Sequence, residues 1–455
     1  MRDATHAETI AAWLAASKAD ELPGGAREMA RKLLLDVSGL CIAARREPYV
    51  LATLHAVDRG GLCTALGHTG TCDAFGAALV NGTAAHGEDF DDTFEGGPVH
   101  SGAVIVPAVL AACERESLGG DSLLAGIVTG TELLCRLSLV APKATHKAGF
   151  HPTAVFGALA AAGATGVALR LPQEAMVSAL GIAGSMASGI IEYLSEGTWT
   201  KRMHAGWAAQ SGLRAALMAR GGFLGPRTVL EGRHGFFHAF APSVTPDFGK
   251  LLDGLGQTWR METIAFKPYA CGTMTQPFID CAIELARDGA RAEDITGIVC
   301  EVAEGTVHRL WEPLSDKQQP PTPYAAKFST PFCMAVGFVD RKAGFAQFTE
   351  ARIKDPVVRA LAAKIRYAIN PKDDYPRNYS GHLRATFADG REREFRQPFM
   401  RGGAHAPLST AELEAKFMDN VLSGGWTRAS GERLQRLSYD VFAHPTLTAL
   451  SEFRS

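Results

Sequence analysis

The chain has 455 residues, 46% of them hydrophobic, and a formal charge of -2 from 46 basic and 48 acidic side chains. That length can bury a large core and suggests two domains, while the balanced charge leaves no electrostatic footprint for nucleic acid or for an anionic membrane surface. An anion bound here is therefore to be held by local charges.

Nine cysteines without C-x-x-C pairing, and an N-terminus "MRDATHAETIAAWLAAS" that lacks a signal-peptide core, point to a reduced, cytoplasmic protein. From there to about residue 265, apolar residues recur at three- and four-residue intervals, as in "REMARKLLLDVSGLCIAA" and "FGALAAAGATGVALRL", which predicts helices. An Ala/Gly-rich run starting at Asp73 leads into "HGEDFDDTFEGGPVHSGAV". If that helix continues past His86, then Asp89 and Thr93 share its face, with Asp92 nearby and Asp91 directed elsewhere. Imidazoles and carboxylates packed beside apolar helices have their pKa values shifted by desolvation and by one another, as acid–base chemistry at neutral pH requires. The alternative is an acidic helix end that meets solvent.

His100 precedes one buried helix, and His151, followed by Pro152, precedes another, so both imidazoles are expected at helix N-termini. The uncharged stretches Pro152 to Leu169 and Ala175 to Ile191 approach the length of a membrane span. They are rich in Ala, Gly, Ser and Thr and lack aromatic flanks, so buried helices of a bundle are the better reading. "TWTKRMHAGWAAQSG" then presents Lys201, Arg202 and His204 at a helix entrance, and that helix stops at Gly221-Gly222.

Beyond residue 265 the character alternates. "AFKPYACGTMTQPFIDCA" brings Lys267, Tyr269 and Gln276, with Cys271 read as a packed thiol. "ITGIVCEVAEG" reads as a strand, "KFSTPFCMAVGFVD" as a helix, and "HLRATFADGREREFRQP" as a hairpin turning at Asp389-Gly390. "STAELEAKFMDNVL" returns to helix, capped by Ser409 or Thr410. The expected fold is mainly α with an α+β second domain: a large all-helical domain over residues 1–265, a smaller lid-like α+β domain with a β-hairpin over 266–400, and a helical segment over 401–455 packing back on the first domain.

The segments "HGEDFDDT", "HSGAVIVPAVLA", "GFHPTAVFGALAAA", "TKRMHAGWAAQSG", "LEGRHGFFHAF", "FKPYACG" and "AKFSTPF", in this order over nearly the whole chain, resemble the MmgE/PrpD family. The resemblance implies a homodimer and a cofactor-free site in a cleft between the two domains. It implies 2-methylcitrate dehydratase-like elimination, iminodisuccinate-type epimerisation or cis-aconitate-type decarboxylation. It implies site candidates at Asp89, Thr93, His100, His151, Lys201 and Lys267. Asp89, His100, His151, Lys201 and Lys267 are read as catalytic, and substrate contacts are expected at His86, Thr93, Arg202, His204, Tyr269 and Gln276. Two positions depart from the family's pattern. Gln276 stands where many members have histidine, and Phe332 stands where the decarboxylase has a site tyrosine, which makes decarboxylation the least comfortable of the three.

The expected enzyme acts on a small di- or tricarboxylate by removing a proton α to a carboxylate, as a dehydratase-type lyase or as an epimerase. Lys201 and Lys267 are expected to hold carboxylates while the histidines move protons; which of them is the acid and which the base is left open. No metal is expected. The acidic stretch alone would suit Mg²⁺, but no phosphate loop or second acidic cluster accompanies it, and no zinc-ligand spacing is present. The rival class is a non-catalytic helical scaffold.

Overall fold

The computed structural model describes residues 3–375 and 377–455. They form two compact units. One comprises residues up to Gly87, Asp91–Ile264 and Asn420–Ser455; the other comprises Glu88–Phe90 and Ala265–Asp419.

The first unit is built on helices. His6–Ala16 opens it with a capping box in which the Thr5 hydroxyl accepts from Glu8 N–H and Glu8 returns the favour to Thr5 N–H. Asp73 caps Ala74–His86 by accepting from Gly76 N–H at 2.6 Å. His151 is the N-cap of Pro152–Ala168, with proline in the first turn, where its missing N–H costs nothing. Thr200–Arg220 packs against Pro152–Ala168, Ala74–His86 and Gln173–Met186. It ends as expected, at Gly221 and the left-handed Gly222 (φ 93°).

Small residues make this close packing possible. A Cβ on Gly82 would stand 2.5 Å from the Cα of Gly206, and one on Gly206 would strike the carbonyl of Leu79. The two helices meet there backbone to backbone, a contact only glycine permits.

Gly120–Val140 is the one helix among the described residues that is long and apolar enough to cross a membrane. It packs within the unit against Gly102–Arg115 and Pro152–Ala168. It also carries a fully buried ion pair, Glu132 to Arg136 at 2.5 Å, whose guanidinium donates further to the carbonyls of Leu251, Asp253, Gly254 and Thr258. Of the two stretches weighed from sequence as spans, Pro152–Ala168 is a buried helix. The other is not one element: Gln173–Met186 ends five residues before Ile191. The unit is not wholly helical, since Arg59–Cys63 is a strand bridged to Cys72.

The second unit holds a four-stranded sheet in the order Ile365–Ile369, Ile295–Val302, Gly381–Phe387, Glu392–Gln397. The last two strands are the expected hairpin, with Gly390 left-handed at the turn (φ 82°). Ile365–Ile369, which pairs parallel to Ile295–Val302, is not evident from sequence. The helix Gln276–Arg287 covers the hairpin strands, and Thr330–Asp340 packs on that helix.

This unit runs to Asp419, beyond the expected boundary at 400, and it includes Glu88–Phe90. The reason is a set of polar ties. Arg401 binds Asp280 at 3.0 Å and Glu412 at 2.8 Å. Lys416 donates to the Phe90 carbonyl at 2.7 Å, with its ammonium 4.1 Å from the Phe90 ring centre.

Gly206→Ala is expected to destabilise the fold by about 1–3 kcal/mol through overpacking. Urea unfolding followed by far-UV circular dichroism measures it; an unchanged midpoint would show that the two helices can separate without cost.

Candidate active site

Four imidazoles of the first unit gather in one buried cluster. His86 ends the Ala74–His86 helix, His100 lies just before Gly102–Arg115, His151 caps Pro152–Ala168, and His204 lies in the first turns of Thr200–Arg220. All four are 9% exposed or less. Ring centres are 5.0 Å apart for His86 and His100, 5.4 Å for His86 and His151, and 5.3 Å for His151 and His204.

Two adjacent carboxylates organise the cluster, each with 0% exposure. Asp91 Oδ2 is 2.6 Å from His86 Nδ1, and Asp91 Oδ1 is 3.6 Å from His100 Nδ1. Asp92 accepts from Ser101 N–H, the Ser101 hydroxyl and Gly102 N–H at 3.0, 3.0 and 2.8 Å, so it caps the N-terminus of Gly102–Arg115 from a distance in sequence. Its backbone carbonyl lies 2.7 Å from His100 Nδ1. A carbonyl only accepts, so His100 carries a proton on Nδ1 and offers Nε2 for chemistry. Burial, with the Asp91 and Asp36 carboxylates nearby, pushes Asp92 up to about 7 against the pull of Ser101 and Gly102.

The imidazoles farther from Asp91 are held neutral. Burial first, then His86, His204, Lys201 and His100, keep His151 well below the ordinary histidine range. Burial with His86 and Lys201 lowers His204 to about 3. Neutral His151 and His204 fit their contact, Nδ1 to Nδ1 at 3.2 Å, in which one must donate and the other accept. Adding a second positive imidazole 5 Å from the first would cost about 3 kcal/mol at an effective dielectric constant of roughly 20.

Of the residues expected at the site, the structure brings together His86, His100, His151, Lys201 and His204. Thr93 is buried in the strand Thr93–Phe94, and Arg202 lies over the Tyr49 ring at 4.3 Å. The helical face expected to join His86, Asp89 and Thr93 does not exist. The helix stops at His86, Gly87 is its C-cap, and Asp89 adopts a left-handed backbone (φ 55°). The carboxylate beside His100 is Asp91, the one expected to point away, and not Asp89.

Asp89 and Lys267 meet in the second unit, where Lys267 Nζ donates to the Asp89 carbonyl at 3.0 Å. Two side chains not evident from sequence join them. The Tyr324 hydroxyl donates to Asp89 Oδ2 at 2.9 Å. Lys327 donates to the Glu88 carbonyl at 2.9 Å and pairs with Glu88 Oε2 at 2.7 Å. Phe332, with no hydroxyl to offer, is fully buried beside Phe348; the phenol on Asp89 is that of Tyr324. Tyr269 and Gln276, expected as substrate contacts, instead hold the unit together. The Tyr269 hydroxyl donates to Asp280 at 2.5 Å, and Gln276 donates to the carbonyls of Tyr269 and Cys271.

His86, Asp91 and His100 have donor atoms within 4.8 Å of one another. The arrangement suits proton transfer: a dry group of imidazoles, one carboxylate between two of them, and a lysine whose charge reaches His151 and His204.

Comparison with known proteins gives this chemistry a family. The chain belongs to the MmgE/PrpD family: the profile of the MmgE/PrpD N-terminal domain matches residues 8–249, and that of the C-terminal domain matches residues 269–435. A cis-aconitate decarboxylase of Aspergillus terreus is 29% identical over 414 residues, spanning 84% of this chain and 82% of the relative. The cis-aconitate decarboxylase of Homo sapiens is 30% identical over 360 residues, 76% of this chain and 72% of the relative. A cis-aconitate decarboxylase-like protein of Aspergillus oryzae is 26% identical over 97% of this chain and 94% of its own length.

The shifted groups give the stability a defined pH dependence. Unfolded, His204 takes a proton near 6.5; folded, it does so near 3. The unfolded chain therefore binds more protons between those values, and the stability tied to neutral His204 is lost as the pH falls through that window. Asp92 acts oppositely, since its carboxyl titrates near 7 folded and near 3.8 unfolded; its contribution is complete below 3.8 and is lost as the pH rises through 7. His204→Gln is expected to lose less stability than the unmodified protein between pH 7 and pH 5. Urea midpoints at the two pH values test this, and equal losses would contradict it.

Proposed function

We propose that the protein removes a proton α to a carboxylate in a small di- or tricarboxylate and eliminates a hydroxyl from the neighbouring carbon, as a 2-methylcitrate dehydratase does. The observation that carries this is the four-imidazole cluster with Asp91 and Lys201, which supplies a base, an acid and a cation without solvent. In the elimination, one imidazole Nε2 takes the α-proton and the C–H electron pair becomes the new C=C bond. The C–O bond breaks towards the hydroxyl, which leaves as water with a proton from a second imidazole. Lys201 balances the enolate-like charge that develops on the carboxylate, where a fixed charge in a dry site is most effective. No cofactor enters this reading.

A second reading follows from the names of the relatives, which are decarboxylases of cis-aconitate. Loss of CO₂ also leaves a carbanion that needs a cation beside it and a proton donor, the same demands that the elimination makes of Lys201 and the imidazoles. Epimerisation needs the same first proton transfer and its return from the opposite face.

We also propose that the enzyme works as a homodimer and in the cytoplasm. The dimer is supported by an exposed apolar stripe, Trp199 at 50%, Met203 at 37% and Trp207 at 40% exposure, spaced one helical turn apart at the head of Thr200–Arg220. A second copy of the same stripe would cover it.

The deciding experiment incubates the protein with 2-methylcitrate, citrate, cis-aconitate and iminodisuccinate in deuterated water and follows them by NMR. Elimination with deuterium exchange supports the first reading. Itaconate-type product with release of CO₂ moves the assignment to decarboxylation, and absence of exchange with all four acids points to a non-catalytic protein. His151→Gln and Lys201→Ala are each expected to lower kcat/KM by about 100-fold or more with helical content unchanged; full activity in both would sink the site assignment. Trp207→Glu is expected to yield monomers by size-exclusion chromatography with light scattering.

A further inference from the structure

Asp91 has a place in the cluster that the proton transfers above do not yet use. Its carboxylate faces two imidazoles, at 2.6 Å from His86 Nδ1 and 3.6 Å from His100 Nδ1. Both nitrogens are on the Nδ1 side, and the His100 Nδ1–H already points to the Asp92 carbonyl. Both rings therefore turn Nε2 away from the carboxylates. His86 Nε2 is buried and has no hydrogen-bond partner among the described residues, so its lone pair is not committed to the protein.

We infer that Asp91 is a positioning residue that makes His86 and His100 a pair sharing one extra proton, so that one imidazole is an acid while the other is a base. The inference rests on the proton-transfer reading of this site and deepens it, because an elimination needs both roles filled in the same turnover. Charge sets the number of protons at one. Asp91 contributes a single negative charge beside the pair. The charged and titratable groups around it include Asp92 from the same loop, Asp36 from the Gly24–Ala44 helix, which acts on Asp92, His151 from the N-cap of Pro152–Ala168, and His204 and Lys201 from Thr200–Arg220, the lysine acting on His151 and His204. Lys201 and the two further imidazoles oppose a second proton. Asp92 is turned to the helix N-terminus by its three donors and gives the pair only a carbonyl. The shared proton resides on either Nε2 while both Nδ1 atoms keep theirs; in the elimination one ring gives its proton to the leaving hydroxyl and the other takes the α-proton, so the pair still holds one extra proton, now on the ring that began as the base, and that proton returns to the first ring by exchange with water once product has left.

The test uses the full-length protein labelled with ¹⁵N in its histidine rings and titrated without substrate. Expected are two imidazoles with protonated Nδ1 that titrate as a coupled pair, in steps at least about two pH units apart. In Asp91→Asn the first step moves about one pH unit or more to lower pH, because the charge favouring the imidazolium is gone. With whichever acid proves to be a substrate, Asp91→Asn is expected to lower kcat about 100-fold, to change KM by less than about threefold, and to move both limbs of the pH–rate profile to lower pH. Asp91→Glu, which restores the charge, is expected to recover part of that loss. Independent titration of His86 and His100 in the unmodified protein overturns the inference, and so do unchanged tautomers and titration in Asp91→Asn. The titration of the unmodified protein stands even if a variant fails to fold. Turnover of none of the four acids would remove the proposed reaction while leaving the coupled titration to be judged by itself.

Discussion

Two adjacent aspartates with no solvent exposure are the constraint on which the site is built. A buried carboxylate is costly unless hydrogen bonds and opposite charge answer it, and the local chain is arranged to answer both. Asp92 receives the N-terminus of Gly102–Arg115, whose first N–H groups lack partners in the helix and carry the positive end of its dipole. Asp91 receives His86. The backbone between them and His100 then follows, because the Asp92 carbonyl can take the His100 Nδ1–H only while its side chain reaches Ser101 and Gly102. Histidine orientation is thus a by-product of satisfying buried acid, and it is fixed by the same atoms that start a helix.

The second unit answers a different demand with the same means. Glu88–Phe90 has no helix or sheet partner, yet each of its three carbonyls accepts from a lysine: Lys327, Lys267 and Lys416 in turn. Lysine ammonium groups donate in three directions, so they hold a kinked segment through its backbone where a ladder of strand bonds cannot form. Tyr324 fixes the one side chain, Asp89, whose left-handed backbone most needs support. A strained acidic residue held this firmly has its carboxylate in one place before any ligand arrives.

The sequence was legible where cause and effect are close together. His151 before Pro152, Gly221-Gly222 after a helical run and Asp389-Gly390 between alternating strands each act within a turn of chain, and each does in the structure what local chemistry dictates. Long-range effects were not legible. Ile365–Ile369 is short and half-exposed, and its strand character comes from pairing with Ile295–Val302 some 70 positions earlier. Asp91 could not be placed by helical spacing, because the helix that the spacing assumed ends at His86. Tyr324, Lys327 and Lys416 reach a loop more than 230 residues before them, and nothing near them in sequence marks a target. The family motifs partly supply what spacing cannot, since "AKFSTPF" contains Lys327, but a motif does not say that its lysine binds a backbone carbonyl.

The nine cysteines, all free and all buried, have a practical meaning outside the chemistry of the site. Burial drives thiols such as Cys41, Cys113 and Cys300 far from their thiolate form, so these three do not react while their surroundings stay closed. They are spread over both units, from Cys41 to Cys333. Each is therefore a reporter buried at a known depth, and the order in which a thiol reagent labels them records which parts of the protein open first.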